Sequence, residues 1–426
     1  MACREVLRVA AGRAAGQTDV WWISAGSGSH CGFDMTVLER ITVLQLIPAM
    51  DSGGAEFCVL EQSRALVAAG HRVLVGSAGG RLESVLVSAG AEPVRLLCGA
   101  KSPHWLSAVL QLRRLLLRER VDVVDVHSRL PAWCLRYALR LLPRERHPVV
   151  VHTVHGLNSP GWYSRIMLRA DVVVAVSESV RRHLEGLATD GEMCRVQVIP
   201  RGVDCERFRR RWPVWGGWRS EFLQQQPEAS GKFLLLLPGR LVRGKGHADL
   251  IRLVADLSAE GVEVQAICPG SLAGRERYLA ELRQLAMDLR VSDRVKFPGL
   301  RDDLAEIYAG VDVVLSLSGG AESFSLTTAE ALAVGVPVVG YDRGGVGELL
   351  RRVFPEGLVG PGDRKELLLR VLCVLRGSAV PRDFPGDLEL AVMLRKTVRL
   401  FEKIASEHHR AGESELGSRP GAADLQ

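Results

Sequence analysis

From about residue 41 to residue 359 the chain alternates short apolar, β-branched runs with longer stretches of helical periodicity. In the first half the runs fall at 41–47, 72–77, 94–97, 121–126, 149–152, 171–177 and 196–199. In the second half they fall at 233–237, 262–268, 295–297, 311–317, 337–341 and 357–359. Apolarity is nearly continuous within each run rather than alternating, so both faces of each strand are expected to be buried. Their separation by helices predicts parallel sheets covered on both sides. Two such series flank an irregular stretch rich in Arg and Trp at 207–218. The expected class is therefore α/β, with two Rossmann-like doubly wound domains facing each other across a cleft. The expected division is a disordered or over-extended start at 1–35, a first domain at 36–205, a linker at 206–230 and a second domain at 231–385. A C-terminal helix at 386–405 and a polar, disordered tail at 406–426 complete it. No internal repeat is visible.

Composition narrows the class of protein. The chain has 426 residues, 47% apolar and 24% charged, as expected of a globular enzyme of two domains or three. Nine cysteines are scattered with no Cys-x-x-Cys or Cys/His cluster, which argues against a disulfide framework and a zinc site. Free thiols point to a reducing compartment, the cytoplasm. No apolar run approaches the roughly 20 residues of a membrane span. Arg13 interrupts the only apolar core of the N-terminal stretch, against a secretory signal.

Charge is uneven. Residues 101–150 hold ten Lys/Arg against four acids, an excess equal to the +6 of the whole chain. Within them 106–120 is amphipathic, with Gln111, Arg114 and Arg118 on one arc and Val109, Leu112 and Leu116 on another. Two readings stay open: a face for an anionic membrane surface carrying a lipid-linked acceptor, or an ordinary helix packed on its sheet. Aromatic residues are few and not interleaved with the basic ones, which argues against nucleic acid.

Candidate chemistry concentrates in 318–349. Glu322 and Glu330 lie eight positions apart. A small-residue turn (Ser323, Phe324, Ser325) follows the first, and an apolar helix carries the second. A strand, a tight turn and a helix N-terminus make an anion site, because free amides and the helix dipole point at the turn. Carboxylates beside it suit sugar hydroxyls. Arg240 and Lys245 follow the apolar run 233–237 among Gly239, Gly244 and Gly246, where open α/β sheets bind ligands. In the first half, Gly53 and Gly54 form a turn suited to close backbone approach. His155, Ser177 and Glu178 follow strand ends facing the expected cleft, and Glu348 reads as a cap for the helix after the Gly344-Gly345 turn.

These segments carry a resemblance. The Glu322/Glu330 stretch, PGRLVRGKG at 238–246, DSGGAE at 51–56 and IPRGVD at 199–204 resemble retaining glycosyltransferases of family 4, over about residues 40–405. More narrowly, SAGGRL (77–82), HSRLPAW (127–133), TVHGL (153–157) and YDRGGVGE (341–348) resemble bacterial members that build the lipopolysaccharide core. The resemblance implies the two-domain GT-B fold and a nucleotide-diphosphate-sugar donor. It implies that Arg240 and Lys245 hold the diphosphate and that amides of Ser325, Leu326 and Thr327 meet the phosphates. It also implies that Glu330 accepts from the ribose, that Glu322 contacts sugar hydroxyls, and that His155 lies near the reacting sugar. The usual pattern has Gly where Ser323 and Ser325 stand; serine tolerates positive φ less well, which leaves that loop's backbone open.

No Asp-x-Asp motif stands at a strand end to bind a metal, so no metal or other cofactor is expected. The implied reaction is retaining hexosyl transfer to a glycan or lipid-linked acceptor, by front-face departure and attack. Two alternatives share the fold: a nucleotide-sugar epimerase or hydrolase, and a non-catalytic sugar-nucleotide-binding subunit.

Overall fold

The computed structural model describes residues 40–417 other than 52, 100–104, 190, 211–216 and 378. The expectations of disorder at 1–35 and from 418 onward lie outside those residues, as do Ser52 and Lys101.

Each apolar run holds one strand. The first seven are β1 (Thr42–Leu46), β2 (Arg72–Ser77), β3 (Glu92–Arg95), β4 (Val123–Val126), β5 (Val149–Val154), β6 (Val172–Ala175) and β7 (Val196–Val198). The remaining six are β8 (Phe233–Leu236), β9 (Val264–Pro269), β10 (Val295–Gly299), β11 (Val313–Ser316), β12 (Val338–Tyr341) and β13 (Leu358–Val359). They form two parallel sheets, ordered β3-β2-β1-β4-β5-β6-β7 and β10-β9-β8-β11-β12-β13. The expected pair of doubly wound Rossmann-like domains is thus present. The largest displacement is at β3, which starts two residues before the apolar run. It is an edge strand, and Leu96 leaves the ladder after Arg95 pairs with Ser77 to bury itself in the core.

Burial on both faces explains why the strands read as unbroken apolar runs. In the first sheet, Leu44, Leu74, Val124 and Val126 enter one core cluster. Their neighbours Val43, Val73, Val123 and Val151 enter another on the opposite face.

The chain crosses to the second domain near Val203 and returns beside it. Val203 and Leu390 are hydrogen-bonded, Leu390 N to Val203 O at 2.8 Å, and Gly202 is needed there because a Cβ would meet Leu390 Cα at 2.4 Å. The last helix, Leu390–Gly417, packs against helix Gly54–Ala68 of the first domain, with Met393, Leu400, Phe401 and Ile404 in that domain's core. It therefore continues twelve residues beyond 405, and the expected disordered tail at 406–426 is corrected as far as Gly417. Polar contacts hold the extension: His408 Nε2 lies 3.1 Å from His147 O and His409 Nε2 2.9 Å from Asp122 Oδ1.

Candidate active site

In the second sheet β8 and β11 are neighbours although far apart in sequence, so the winding direction reverses between them. Ligands bind beyond the carboxyl ends of strands at such a reversal. The loop after β8 carries Arg240, exposed, and then Lys245. Gly246 takes φ +80, and a Cβ there would strike Leu317 O at 2.1 Å, so glycine lets this loop lie against the end of β11. The loop after β11 carries Glu322. Lys245 Nζ lies 2.6 Å from Glu322 Oε1, and Ser318 Oγ donates to the same oxygen. Burial opposes ionisation of Glu322, but the Lys245 charge and hydrogen bond, with the Ser318 and Ser325 hydroxyls, hold its carboxyl below the usual range. Behind it Gly345 N donates to Glu322 O at 2.7 Å, and a Cβ on Gly344 (φ +52) would lie 2.2 Å from that carbonyl. The Gly-Gly turn thus backs the Glu322 loop.

Ser325 precedes helix Leu326–Val334 at φ +64, so the position does require the left-handed conformation although it is not glycine. Its hydroxyl lies 2.9 Å from Thr328 Oγ1. The first intrahelical bond is Ala329 N to Ser325 O, which leaves the amides of the first turn without intrahelical partners. Glu330, on the following turn, accepts from Tyr308 OH at 3.3 Å, and burial pushes its carboxyl up to about 7 against that bond and the charges of Arg207 and Arg201.

From the first domain, Gly53 and Gly54 open helix Gly54–Ala68. Gly53 is extended, and a Cβ on it would meet only the mobile end of Glu56, so its own backbone does not demand glycine. Arg201, 8% exposed, donates to Gly54 O and fixes this turn. His155 follows β5, with Nε2 2.8 Å from His127 Nδ1. Burial, then His127 and Arg201, hold its pKa well below the usual imidazole value.

One cleft of about 630 Å³ brings together Gly53, Gly54, His155, Arg240, Lys245, Glu322, Ser325 and Leu326. Thr327 and Glu330 stand further along their helix, partly exposed just beyond the cleft lining. Ser177 Oγ donates to Ser323 O, tying the first domain to the Glu322 loop. Glu348 does not cap its own helix. Its carboxylate accepts from Glu178 N at 3.2 Å and from Ser179 N and Oγ at 2.9 Å, capping helix Glu178–Glu185 of the other domain. Arg201, Asp125 and His127 were not singled out from sequence. Arg201 lies inside the IPRGVD segment, and Asp125 and His127 stand as alternate polar residues in and just beyond an apolar strand.

Paired Rossmann-like domains with ligand loops at their strand ends define the GT-B class. Sequence comparison matches Glycosyltransferase Family 4 over residues 52–207 and Glycosyl transferases group 1 over 219–384, and the chain belongs to the family 4 type of glycosyltransferase. The D-inositol 3-phosphate glycosyltransferase of Xylanimonas cellulosilytica is 29% identical over 70% of this chain and 77% of that one. The lipopolysaccharide core biosynthesis mannosyltransferase LpsB of Rhizobium meliloti is 27% identical over 52% and 58%. Among solved structures, Anabaena HepE in complex with UDP-glucose superposes with a TM-score of 0.65 at 22% identity, covering 88% of this chain and all of that one, a likeness of fold. Among the described residues no helix is long and apolar enough to cross a membrane.

Proposed function

We propose that this cleft transfers a hexose-type sugar, with retention, from a nucleotide-diphosphate sugar to a glycan or lipid-linked acceptor in lipopolysaccharide core or related cell-envelope assembly. The observation that carries this is the Lys245–Glu322 pair, 2.6 Å apart inside a cleft shared by both domains, beside Arg240 and a helix N-terminus. The diphosphate takes the amides of Leu326 and Thr327 and draws Lys245 and Arg240 to it. Glu322, released from Lys245, accepts from sugar hydroxyls, and Glu330 accepts from the ribose. As the bond from the anomeric carbon to phosphate breaks, the two cations neutralise the charge gathering on the diphosphate. The acceptor oxygen bonds to the same face of that carbon, and its proton goes to the departing phosphate. The cations supply the charge that a metal supplies elsewhere, so the chemistry runs without one. The names of the relatives, one acting on inositol 3-phosphate and one on lipopolysaccharide core, and the UDP-glucose held by HepE support a nucleotide-sugar donor and a polar or lipid-borne acceptor.

The acceptor side is placed at the inner face of an anionic membrane. Helix Trp105–Glu119 packs Val109, Leu112 and Leu116 into the core, yet leaves Leu106 68% and Leu110 47% exposed near the exposed Arg114 and Arg118. Cosedimentation with phosphatidylglycerol vesicles at low salt, absent with phosphatidylcholine, checks this placement.

The test of the main reading is incubation with UDP-, GDP- and ADP-sugars, following diphosphate release and product anomeric configuration by NMR. Acceptor-dependent release with the donor's configuration kept is expected. Free sugar or an epimer without acceptor would assign a hydrolase or epimerase, and binding with no release under any acceptor a silent subunit.

A further inference from the structure

The two polar pairs beneath His155 form a ladder between neighbouring strands. β4 and β5 pair in parallel with Asp125 opposite Val151 and Val126 opposite His152. In strands, alternate residues share a face, so Asp125 and His127 point the same way, as do Thr153 and His155. Thr153 Oγ1 donates to Asp125 Oδ1 at 2.8 Å, which is one rung. His127 Nδ1 and His155 Nε2, 2.8 Å apart, are the other. The ring centroids are 5.1 Å apart and the planes 24° from parallel, as two rings meeting edge to edge through one nitrogen each require; a stack would not place the nitrogens so.

The rungs are joined along β4. His127 Nε2 lies 3.2 Å from Asp125 Oδ2, with neither side chain exposed. The angle is short of hydrogen-bond geometry, yet among the described residues neither atom has another hydrogen-bond partner. That pairing sets the protons. A carboxylate only accepts, so the hydrogen of a neutral His127 belongs on Nε2, and its Nδ1 is left as an acceptor. His155 must then carry its own hydrogen on Nε2 to make the second rung, which leaves Nδ1 as a lone pair. His155 lines the cleft. We infer that Asp125 and His127 are positioning residues that lock His155 into the Nε2-protonated tautomer, so that Nδ1 accepts a hydrogen bond from a hydroxyl of the bound sugar.

That the hydroxyl belongs to a sugar rests on the glycosyl-transfer reading; the tautomer does not. ¹⁵N-histidine NMR of the full chain at neutral pH reads the tautomer without substrate. A bare Nδ1 and a protonated Nε2 on His155 are expected, and a protonated Nδ1, a rapidly averaged ring or a cationic His127 would overturn the inference. The variants His127→Asn and His127→Phe extend the test. The Asn amide oxygen replaces the acceptor, whereas Phe fills the space without one. His127→Asn is expected to keep the His155 tautomer and most of the turnover. His127→Phe is expected to lose the fixed tautomer and to lower kcat on UDP-glucose or GDP-mannose, whichever the wild type uses, by about tenfold or more with KM little changed. A folded His127→Phe protein with wild-type kcat and an unchanged spectrum would refute it. Should the wild-type chain turn over neither donor, the glycosyl-transfer reading is what fails, and the spectra still decide the tautomer.

Discussion

In the second domain the cleft's charged groups stand on loops beyond the strand ends, with Lys245 27% and Glu322 17% exposed. In the first domain the groups behind His155 lie within or at the end of a strand, and the Asp125 and His127 side chains are not exposed at all. A loop group has water as a fallback when its partner is removed; a group buried in a sheet does not, and its loss is felt by the fold as well as by the chemistry. One half of the site can therefore be altered at the expense of function alone. The other cannot.

Glu322→Ala and Asp125→Ala separate the two halves by the largest expected effect. The first is expected to cut sugar transfer about 10²–10³-fold while leaving the unfolding midpoint nearly unchanged, because Lys245, left on its loop at 27% exposure, can turn to water. The second is expected to lower unfolding stability by about 2–3 kcal/mol, through the donors left facing it in the core. Denaturant unfolding alongside turnover separates them, and equal stability losses would erase the contrast between the halves.

Glu330 introduces a pH dependence on the loop-built side. Its carboxyl titrates at about 7 in the fold against 4.5 when free, because burial disfavours the charged form. A group with a raised folded pKa stabilises fully below its unfolded value, so this contribution is complete below 4.5 and is lost as pH climbs to about 7. Glu330→Gln cannot ionise. Relative to wild type it is expected to gain about 3 kcal/mol between acid pH and neutrality, measured as unfolding free energy across that range. A flat difference would show that Glu330 is not strained by its surroundings.

Smaller effects probe the join and the turn. Glu348→Ala removes the acceptor for three donors on the other domain and is expected to cost about 1–2 kcal/mol. It should also loosen domain closure, seen as an increased radius of gyration in small-angle scattering. At Ser325, with φ +64, the Gly and Ala variants both lack the hydroxyl and differ chiefly in left-handed strain. Ser325→Gly is expected to be about 1 kcal/mol more stable than Ser325→Ala in thermal unfolding.

The same contrast decided what could be read from sequence. Strands buried on both faces write themselves as apolar runs, so β1 to β13 were legible in place and order. Glu322, Arg240 and Lys245 stood out as candidates because each sits in a glycine- or serine-rich turn directly after an apolar run, a local signal, although Lys245 and Glu322 meet across 77 residues. Asp125 and His127 were not, since the partners that give them meaning, Thr153 and His155, lie 28 residues on and meet them only through the β4–β5 register. The signal available was a pair of period-two triplets, Asp-Val-His at 125–127 and Thr-Val-His at 153–155. Glu348 was misread because a cap acting on another domain's helix is set by tertiary packing, which local spacing does not contain. The end of the last helix was misread for the same reason, as its polar residues are held by His147 and Asp122.

On binding, a nucleotide's diphosphate is expected to draw Lys245 away from Glu322. Calorimetric binding of UDP and GDP to wild type, Lys245→Ala and Glu322→Ala tests it directly. Whichever nucleotide binds wild type should bind Lys245→Ala about tenfold more weakly or worse, and Glu322→Ala at least as tightly as wild type, since the lysine is then already free. Undiminished binding by Lys245→Ala would show that the diphosphate does not engage Lys245.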